Sequence, residues 1–286
     1  MADVTARQRS TPPVVLSIAG SDASGGAGIQ TDLKTFTVLG CYGATAITAI
    51  TAQNTSGVQH AQALDAVLVG QQIDSVAGDL VIAATKTGML ASAAIIDAVV
   101  EAIGRHHLRP LVVDPVMVAK SGDALIDDAA VSRIAERLLP LATLATPNRH
   151  EAARLLGLAR AIDSVDAAGD AAGQICDRFG CHACIVKGIR LNDAQRRQIV
   201  DVLFSEGRTT PYPAPWLDTP RTHGSGCAFS AAITAALAAG HSLDQAIERA
   251  RAFISRAIAE APALGHGQPP VSPLAHLPAA APAVGS

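Results

Sequence analysis

The chain has 286 residues, of which 49% are hydrophobic and 16% charged, and its formal net charge at pH 7 is −3. This hydrophobic fraction excludes disorder over most of the length, and the charge excludes binding to nucleic acid or an anionic membrane through the overall field. No stretch reaches the about 18 consecutive apolar residues of a membrane span, and five cysteines argue against a disulfide framework. We therefore expect a reduced, cytoplasmic protein that binds small molecules.

The two ends of the chain differ in composition from its centre. Residues 1–12 lack the apolar core of a secretory signal and are predicted to be a disordered lead. Residues 268–286 are rich in Pro and Ala and are predicted to be a disordered tail. Because no repeat or linker interrupts residues 13–267, they are predicted to form one domain.

Short apolar runs alternate with segments of helical length through the first two thirds of the chain. Runs of this kind are typical of parallel strands that are buried on both faces. The predicted strands are 14–20, 44–51, 81–88, 111–116, 143–148 and 183–188, and the predicted helices include 92–105, 127–139 and 166–179. The alternation predicts an α/β fold with a mostly parallel sheet.

The pattern changes after residue 188. Residues 199–213 predict a hairpin that turns at Glu206–Gly207. Two helices are then predicted, over about 226–239 and 243–261, and the second has a clear apolar stripe.

Glycine-rich and polar segments follow the predicted strands. Turns between strands and helices favour these residue types, but ligands also bind at the carboxyl ends of parallel strands. The segments are AGSDASGGAGIQTD, TAQNTSG, KTGML, DPVMVAKSGD and TPNRHEA. Their number at one edge of the sheet predicts a binding site there.

Several familiar motifs fail at single positions. The Walker sequence requires Gly where Ala119 stands, the dinucleotide fingerprint requires Gly at Thr31, and HEAAR has Arg154 at the second zinc-protease histidine. The CHAC run at 181–184 has redox or zinc spacing, but it lacks a second ligand pair and enters an apolar strand. We interpret its cysteines as buried packing residues.

The segment RTHGSGCAFS, residues 221–230, places glycines before a predicted helix. Gly224, Ser225 and Gly226 can turn backbone N–H groups toward the point that the helix N-terminus also faces. Such an arrangement holds phosphoryl oxygens without a lysine. The same position is expected to lower the pKa of the Cys227 thiol, while a small hydrophobic residue that fills the first turn is an equally open interpretation.

Taken together and in order, the motifs resemble those of the hydroxymethylpyrimidine/phosphomethylpyrimidine kinases of thiamine biosynthesis, in the ribokinase-like superfamily. The motifs that carry the resemblance are AGSDASGGAGIQTDLKTF, TAITAQNT, KTGML, DPVMVAKSGD, TPNRHEA and THGSGCAFSAAI. The resemblance implies a three-layer α/β/α fold, usually a homodimer. It also implies ATP- and Mg²⁺-dependent phosphorylation of the pyrimidine's hydroxymethyl group and then of its monophosphate.

The resemblance further implies how the pyrimidine is bound. Gln53 would read the aminopyrimidine edge, since an amide offers both a donor and an acceptor. Gly20 and Asp32 would lie near the acceptor end of the pocket, and Met89 would pack on the ring.

The resemblance assigns a second set of residues to the phosphates. Lys187 and Asn148 would contact the nucleotide, and Asp114 and Glu151 would organise Mg²⁺, partly through water. Cys227 would be the catalytic residue, and its anion hole would consist of Gly224, Ser225 and Gly226.

Three departures from the family's motifs bear on the nucleotide more than on the pyrimidine. Ile189 and Arg190 stand in an expected Lys-Gly-Gly-His run, Ala228 replaces a common hydroxyl residue, and Ser225 replaces threonine. Two alternatives therefore stay open: a pyridoxine or pyridoxal kinase, and a metabolite-binding protein without catalysis.

Overall fold

A nine-stranded sheet runs through the centre of the computed structural model, which describes residues 11–118, 125–192 and 197–277. The strands are β1 (Val14–Asp22), β2 (Tyr42–Asn54), β3 (Gly57–Ala63), β4 (Ile82–Thr87), β5 (Leu111–Val113), β6 (Leu144–Ala145), β7 (Ala183–Asn192), β8 (Arg197–Ser205) and β9 (Arg208–Pro215). Their order is β3-β2-β1-β4-β5-β6-β7-β8-β9. The six inner strands are parallel, and β3, β8 and β9 pair antiparallel at the two edges.

Helices cover both faces of this sheet. Within the described ranges they are α1 (Gly28–Val38), α2 (Ala66–Asp79), α3 (Ala93–His106), α4 (Asp128–Arg133), α5 (Arg149–Leu156), α6 (Val165–Phe179), α7 (Ser225–Ala238) and α8 (Leu243–Ala259). Helices α2 to α6 pack on one face, whereas α1, α7 and α8 pack on the other. The three predicted layers are therefore confirmed, and no described helix has the length and apolarity that a bilayer crossing requires.

The continuous apolar runs are explained by burial on both faces of the sheet. In β1, Leu16 and Ile18 belong to the core under α2 and α3, while Val15 belongs to the core under α1 and α7. In β5, Val112 likewise faces the layer opposite to its neighbours. A strand whose two faces are both covered shows no polar alternation.

The predicted strands, the hairpin and both late helices are present. Glu206 and Gly207 have φ of 52° and 73°, as a tight two-residue turn with matching strand twist requires. Strand β3 was not predicted, because it is an exposed edge strand without an apolar pattern. Its antiparallel partner is β2.

The predicted disordered tail is wrong for residues 268–277. Val271 and Pro273 are buried, and the His276 ring stacks on Phe253 with centroids 4.2 Å apart. Composition suggested fraying, but the few apolar side chains of this segment have a groove beside α8 in which to pack. Residues 1–10 of the predicted lead and 278–286 of the predicted tail lie outside the described residues.

Candidate active site

A cavity of about 930 Å³ lies where the parallel strands end. It brings together all but one of the predicted site residues, which come from seven separate loops and strand ends. The predicted residues that line it are Gly20, Gln53, Met89, Asp114, Asn148, Glu151, Lys187, Gly224, Ser225, Gly226 and Cys227. The exception is Asp32.

The part of the cavity that Gly20 lines is built around a close approach of Met89 to β1. A methyl group on Gly20 would overlap Met89 Cε, so the glycine lets the thioether lie across the strand end. Thr48 Oγ1 donates to the Met89 carbonyl oxygen at 2.6 Å and holds this segment. Gln53 stands beside it, with Thr51 Oγ1 3.1 Å from Oε1.

Asp32 differs from its predicted position, because it is fully buried and does not line the cavity. Its inward position on α1 places it against β1 and β4. Oδ2 accepts hydrogen bonds from Ser17 Oγ at 2.6 Å and from Lys86 Nζ at 2.8 Å. Burial alone would lower the pKa of Lys86, but the Asp32 carboxylate holds it above its usual value. Lys86 therefore stays protonated, while burial raises the pKa of Asp32 against the opposing effects of Lys86 and Ser17. Lys86 is the member of the pair that reaches the cavity.

Asp114 and Lys187 form an ion pair in the wall of the cavity. Lys187 Nζ donates to Asp114 Oδ1 at 2.9 Å, and Thr146 and Ser230 donate to the same carboxylate. Burial opposes ionisation of Asp114, but Lys187 and Lys86 outweigh it and hold its pKa below the usual value. The predicted residues are thus together, with Asp114 ionised.

Asn148 and Glu151 form a capping box at the start of α5. Asn148 Oδ1 accepts from the Glu151 N–H at 3.0 Å, and Glu151 Oε2 accepts from the Asn148 N–H at 2.8 Å. The Asn148 oxygen is occupied by the cap, which leaves its NH₂ group for a ligand. Burial, together with the nearby Asp114 charge, raises the pKa of Glu151 to about 7. Glu151 therefore titrates near neutral pH, because its surroundings stabilise the ionised carboxylate poorly.

The loop before α7 leaves fewer N–H groups free than the prediction of an anion hole at Gly224, Ser225 and Gly226 assumes. Gly224 has φ of +74°, and a methyl group there would overlap the Gly26 carbonyl oxygen. The Ser225 N–H donates to the Thr222 carbonyl oxygen at 3.2 Å and is not free for a ligand. The N–H groups of Gly226 and Cys227 lie in the first helical turn, where no intrahelical acceptor exists.

Cys227 is in the first turn of α7 and lines the cavity, but its predicted acidity is wrong. Burial raises the pKa of the Cys227 thiol to about 11. The Lys86 charge and a hydrogen bond from the Gly28 N–H both lower this pKa, but they do not offset burial. The helix N-terminus is visible in the sequence, but the burial that raises the pKa of the thiol is not.

Two polar contacts in the cavity wall were not predicted from the sequence. Asp22 Oδ2 lies 2.9 Å from both His223 Nε2 and the Ala27 N–H, which joins the loop after β1 to the loop before α7. Asp201 pairs with Arg251 and accepts the Gly188 N–H at 2.9 Å. The Asp in SDASGG was a visible signal, but neither His223 nor Asp201 has a local motif.

The departures from the family's motifs do not displace Lys187. Ile189 is fully buried in the core. The Arg190 guanidinium lies 5.1 Å from the centroid of the Trp216 ring and lines the cavity. Both changes are thus accommodated beside the ion pair of Lys187 with Asp114.

First-turn amides, a buried ammonium and two carboxylates at the ends of parallel strands define a small-molecule kinase site. The phosphomethylpyrimidine kinase family profile matches residues 22–272. The chain belongs to this family.

Individual relatives agree with this family. A hydroxymethylpyrimidine/phosphomethylpyrimidine kinase of Salmonella typhimurium is 44% identical, over 88% of this chain and 93% of its own. A Bacillus subtilis pyridoxal kinase structure in an ADP complex has a TM-score of 0.83 at 35% identity, covering 92% of this chain and 98% of its own. A Clostridium difficile phosphomethylpyrimidine kinase structure has a TM-score of 0.74 at 38% identity, covering 86% and 99%. The predicted family, ribokinase-like fold and kinase activity on the thiamine-pathway pyrimidine are confirmed.

Gly224→Ala is expected to abolish most kinase activity, since the methyl group would displace the loop from Gly26. The control is Gly240→Ala, because Gly240 also has a positive φ of +83° but no neighbour within 4 Å of an added Cβ. The control should lose about 1–2 kcal/mol of stability from the left-handed backbone and keep its kcat. Equal turnover in the two variants would contradict the close approach.

Glu151→Gln is expected to stabilise the protein above neutral pH while lowering its activity. The folded-state pKa of Glu151 is raised to about 7 from 4.5, so its stabilising contribution is complete below pH 4.5 and is lost as pH rises through 7. Glutamine keeps the capping-box acceptor and carries no charge. The Tm difference between variant and wild type should be small near pH 4.5 and should grow as the pH rises above 7. The growth should be about 2–4 °C for each kcal/mol of unfolding free energy that the wild type loses. A Tm difference that is independent of pH would contradict the assignment.

Proposed function

We propose that the chain transfers the terminal phosphoryl group of ATP to 4-amino-5-hydroxymethyl-2-methylpyrimidine and then to its monophosphate, with Mg²⁺. The observation that carries this proposal is the single cavity that joins the Gln53 and Met89 pocket to the first turn of α7. A Cβ on Gly226 would lie 3.7 Å from Lys187 Nζ and 3.8 Å from Asp114 Oδ2. The amides and the ion pair thus face the same small space.

The pyrimidine end fits a flat ring with adjacent donors and acceptors. Gln53 can offer its carboxamide to a ring nitrogen and an exocyclic amine at once. Met89 supplies a polarisable surface for the ring face. Gly20 leaves the strand end open for this stacking.

The phosphate end fits a reaction in which charge stabilisation does most of the work. Negative charge on the phosphoryl oxygens would be stabilised during transfer by the N–H groups of Gly226 and Cys227 and by the Lys187 ammonium. The acceptor oxygen forms a bond to the γ-phosphorus, and the bond to the β-phosphate oxygen breaks with its electron pair leaving on ADP. The hydroxymethyl proton passes to Cys227 in its thiolate form, which is the minor form at neutral pH because burial raises the pKa of the thiol to about 11. The monophosphate acceptor carries no such proton near neutral pH.

Asp114 and Glu151 fit a magnesium ion that is bound mainly through the nucleotide. The described residues contain no group of three or more His, Cys, Asp or Glu side chains that could hold a metal alone. Mg²⁺ typically uses one or two carboxylates together with substrate phosphates and water. The poorly neutralised charge on Glu151 fits a divalent cation, which would neutralise phosphate charge when bound.

Two further parts of the proposal concern the assembly and its location. Ile50, Val67 and Leu68 are exposed apolar residues of β2 and of the first turn of α2, and exposed apolar surface supports a homodimer. All five cysteines are free, which supports a reducing, cytoplasmic location.

The acceptor is tested by measuring ADP release from ATP and Mg²⁺ with hydroxymethylpyrimidine, its monophosphate and pyridoxine side by side. We expect turnover of the first two. The similarity to the Bacillus subtilis pyridoxal kinase makes pyridoxine the competing acceptor. Turnover of pyridoxine alone would leave the assignment as a kinase intact. It would overturn the assignment of Gln53 to the aminopyrimidine edge.

Cys227→Ala is expected to slow phosphorylation of the alcohol more than that of the monophosphate, because only the alcohol must lose a proton. General base catalysis contributes about 10²–10⁴-fold, and the loss in kcat for the alcohol should fall in this range. Single-turnover rates with the two acceptors provide the comparison. Matched losses for both would show that Cys227 does not act as a base.

A further inference from the structure

Lys86 is a buried lysine to which the assignments above give no role. It lies in β4, opposite Ser17 of β1, and its side chain is fully buried although it lines the same cavity as Cys227. Lysine is almost never fully buried unless it is paired. A charged group at this depth in a reaction cavity therefore calls for a function.

Asp32 determines the position of the Lys86 ammonium. The Nζ to Oδ2 distance is 2.8 Å, and both side chains are 0% exposed. Ser17 holds the same carboxylate oxygen at 2.6 Å. An ammonium has three N–H groups, and one hydrogen bond is found for Lys86 within the described ranges. The remaining N–H groups are available to charge in the cavity.

Stability does not account for this pair. Replacing a buried ion pair by apolar residues of similar volume is often neutral or stabilising. The Asp32 Oδ1 atom is moreover buried without a hydrogen-bond partner among the described residues, which adds an energetic cost. A pair that is retained at a cost beside a reaction cavity points to chemistry.

Four charged groups act on Cys227 from the elements around it. Lys86 on β4 and Lys187 on β7 attract the thiolate, while Asp32 on α1 and Asp114 after β5 repel it. Lys86 has the largest effect of the four on the pKa of Cys227 and lowers it against the effect of burial.

We propose that the Lys86 ammonium, held in place by Asp32, stabilises the Cys227 thiolate and is a positioning residue for proton removal from the alcohol acceptor. This inference rests on the proposed role of Cys227 as the base. It gives Lys86 and Asp32 opposite effects on the same thiolate, which a purely structural role would not do.

The test is the rate at which iodoacetamide alkylates Cys227 in the full chain without nucleotide, between about pH 7 and 9, where thiolate is the reacting form. Peptide mass spectrometry separates Cys227 from the four buried cysteines. Lys86→Gln with Asp32→Asn replaces the ion pair by a neutral pair that can still hydrogen-bond. We expect it to react about tenfold more slowly, as one pKa unit implies.

Asp32→Asn alone should react faster than the wild type. Asp114 and Cys227 also raise the pKa of Lys86 and oppose the loss of its proton once Asp32 is neutral. Ser17→Ala removes a hydrogen bond from the same carboxylate without changing a charge and should leave the rate unchanged. A double variant that also alkylates its buried cysteines has unfolded, and Lys86→Met with Asp32→Leu, an apolar replacement of the pair, then takes its place.

The inference is overturned if the double variant reacts as fast as the wild type or faster. Because alkylation needs no turnover, this result is separate from the proposed function. Failure of the wild type to phosphorylate either pyrimidine would overturn the function and leave the alkylation result intact. As a kinetic readout, the double variant should slow alcohol transfer more than monophosphate transfer.

Discussion

Buried charges that depend on one another control the chemistry of this site. Asp32, Asp114 and Glu151 share one region with Lys86 and Lys187, and each group's pKa is shifted by at least one of the others. In a region of low dielectric, no single member can be neutralised without changing the rest. The sheet makes this arrangement possible, because strands buried on both faces deliver side chains from separate loops to one dry edge. An incoming nucleotide and its cation would enter a site whose charge is already divided between a paired and an unpaired carboxylate.

The cavity also requires close backbone contact between two loops that are far apart in sequence. The loop after β1 and the loop before α7 touch through Gly26 and Gly224, and the bond between Asp22 and His223 holds them together. Side chains at these glycines would push the first turn of α7 away from the loop after β1. The geometry of the cavity thus depends on two loops that are about two hundred residues apart.

The fold could be predicted from sequence to the extent that burial leaves a pattern. Strands β1 and β5 have continuous apolar runs, whereas β3 is an exposed edge strand that resembles a loop in composition. Gly224 and Asp114 were found because their motifs are local. The depth of Asp32, the high pKa of Cys227 and the partner of His223 arise from contacts across the sheet, and no local window contains them. The packing of residues 268–277 was missed for the same reason, since its groove is formed by α8 and not by its own sequence.

That last segment also bears on the order in which the site is assembled during synthesis. The Val271 N–H donates to the His223 carbonyl oxygen at 3.0 Å, and the His223 N–H donates to Pro269, so the segment aligns the loop that carries His223. When the chain up to α8 has emerged from the ribosome, these residues are still inside the exit tunnel. The nascent domain can build its sheet and bury most of its core, but the wall beside Gln53 is incomplete until residues 269–271 have left the ribosome. The cavity is therefore completed after most of the domain has been made, as a late step in its biogenesis.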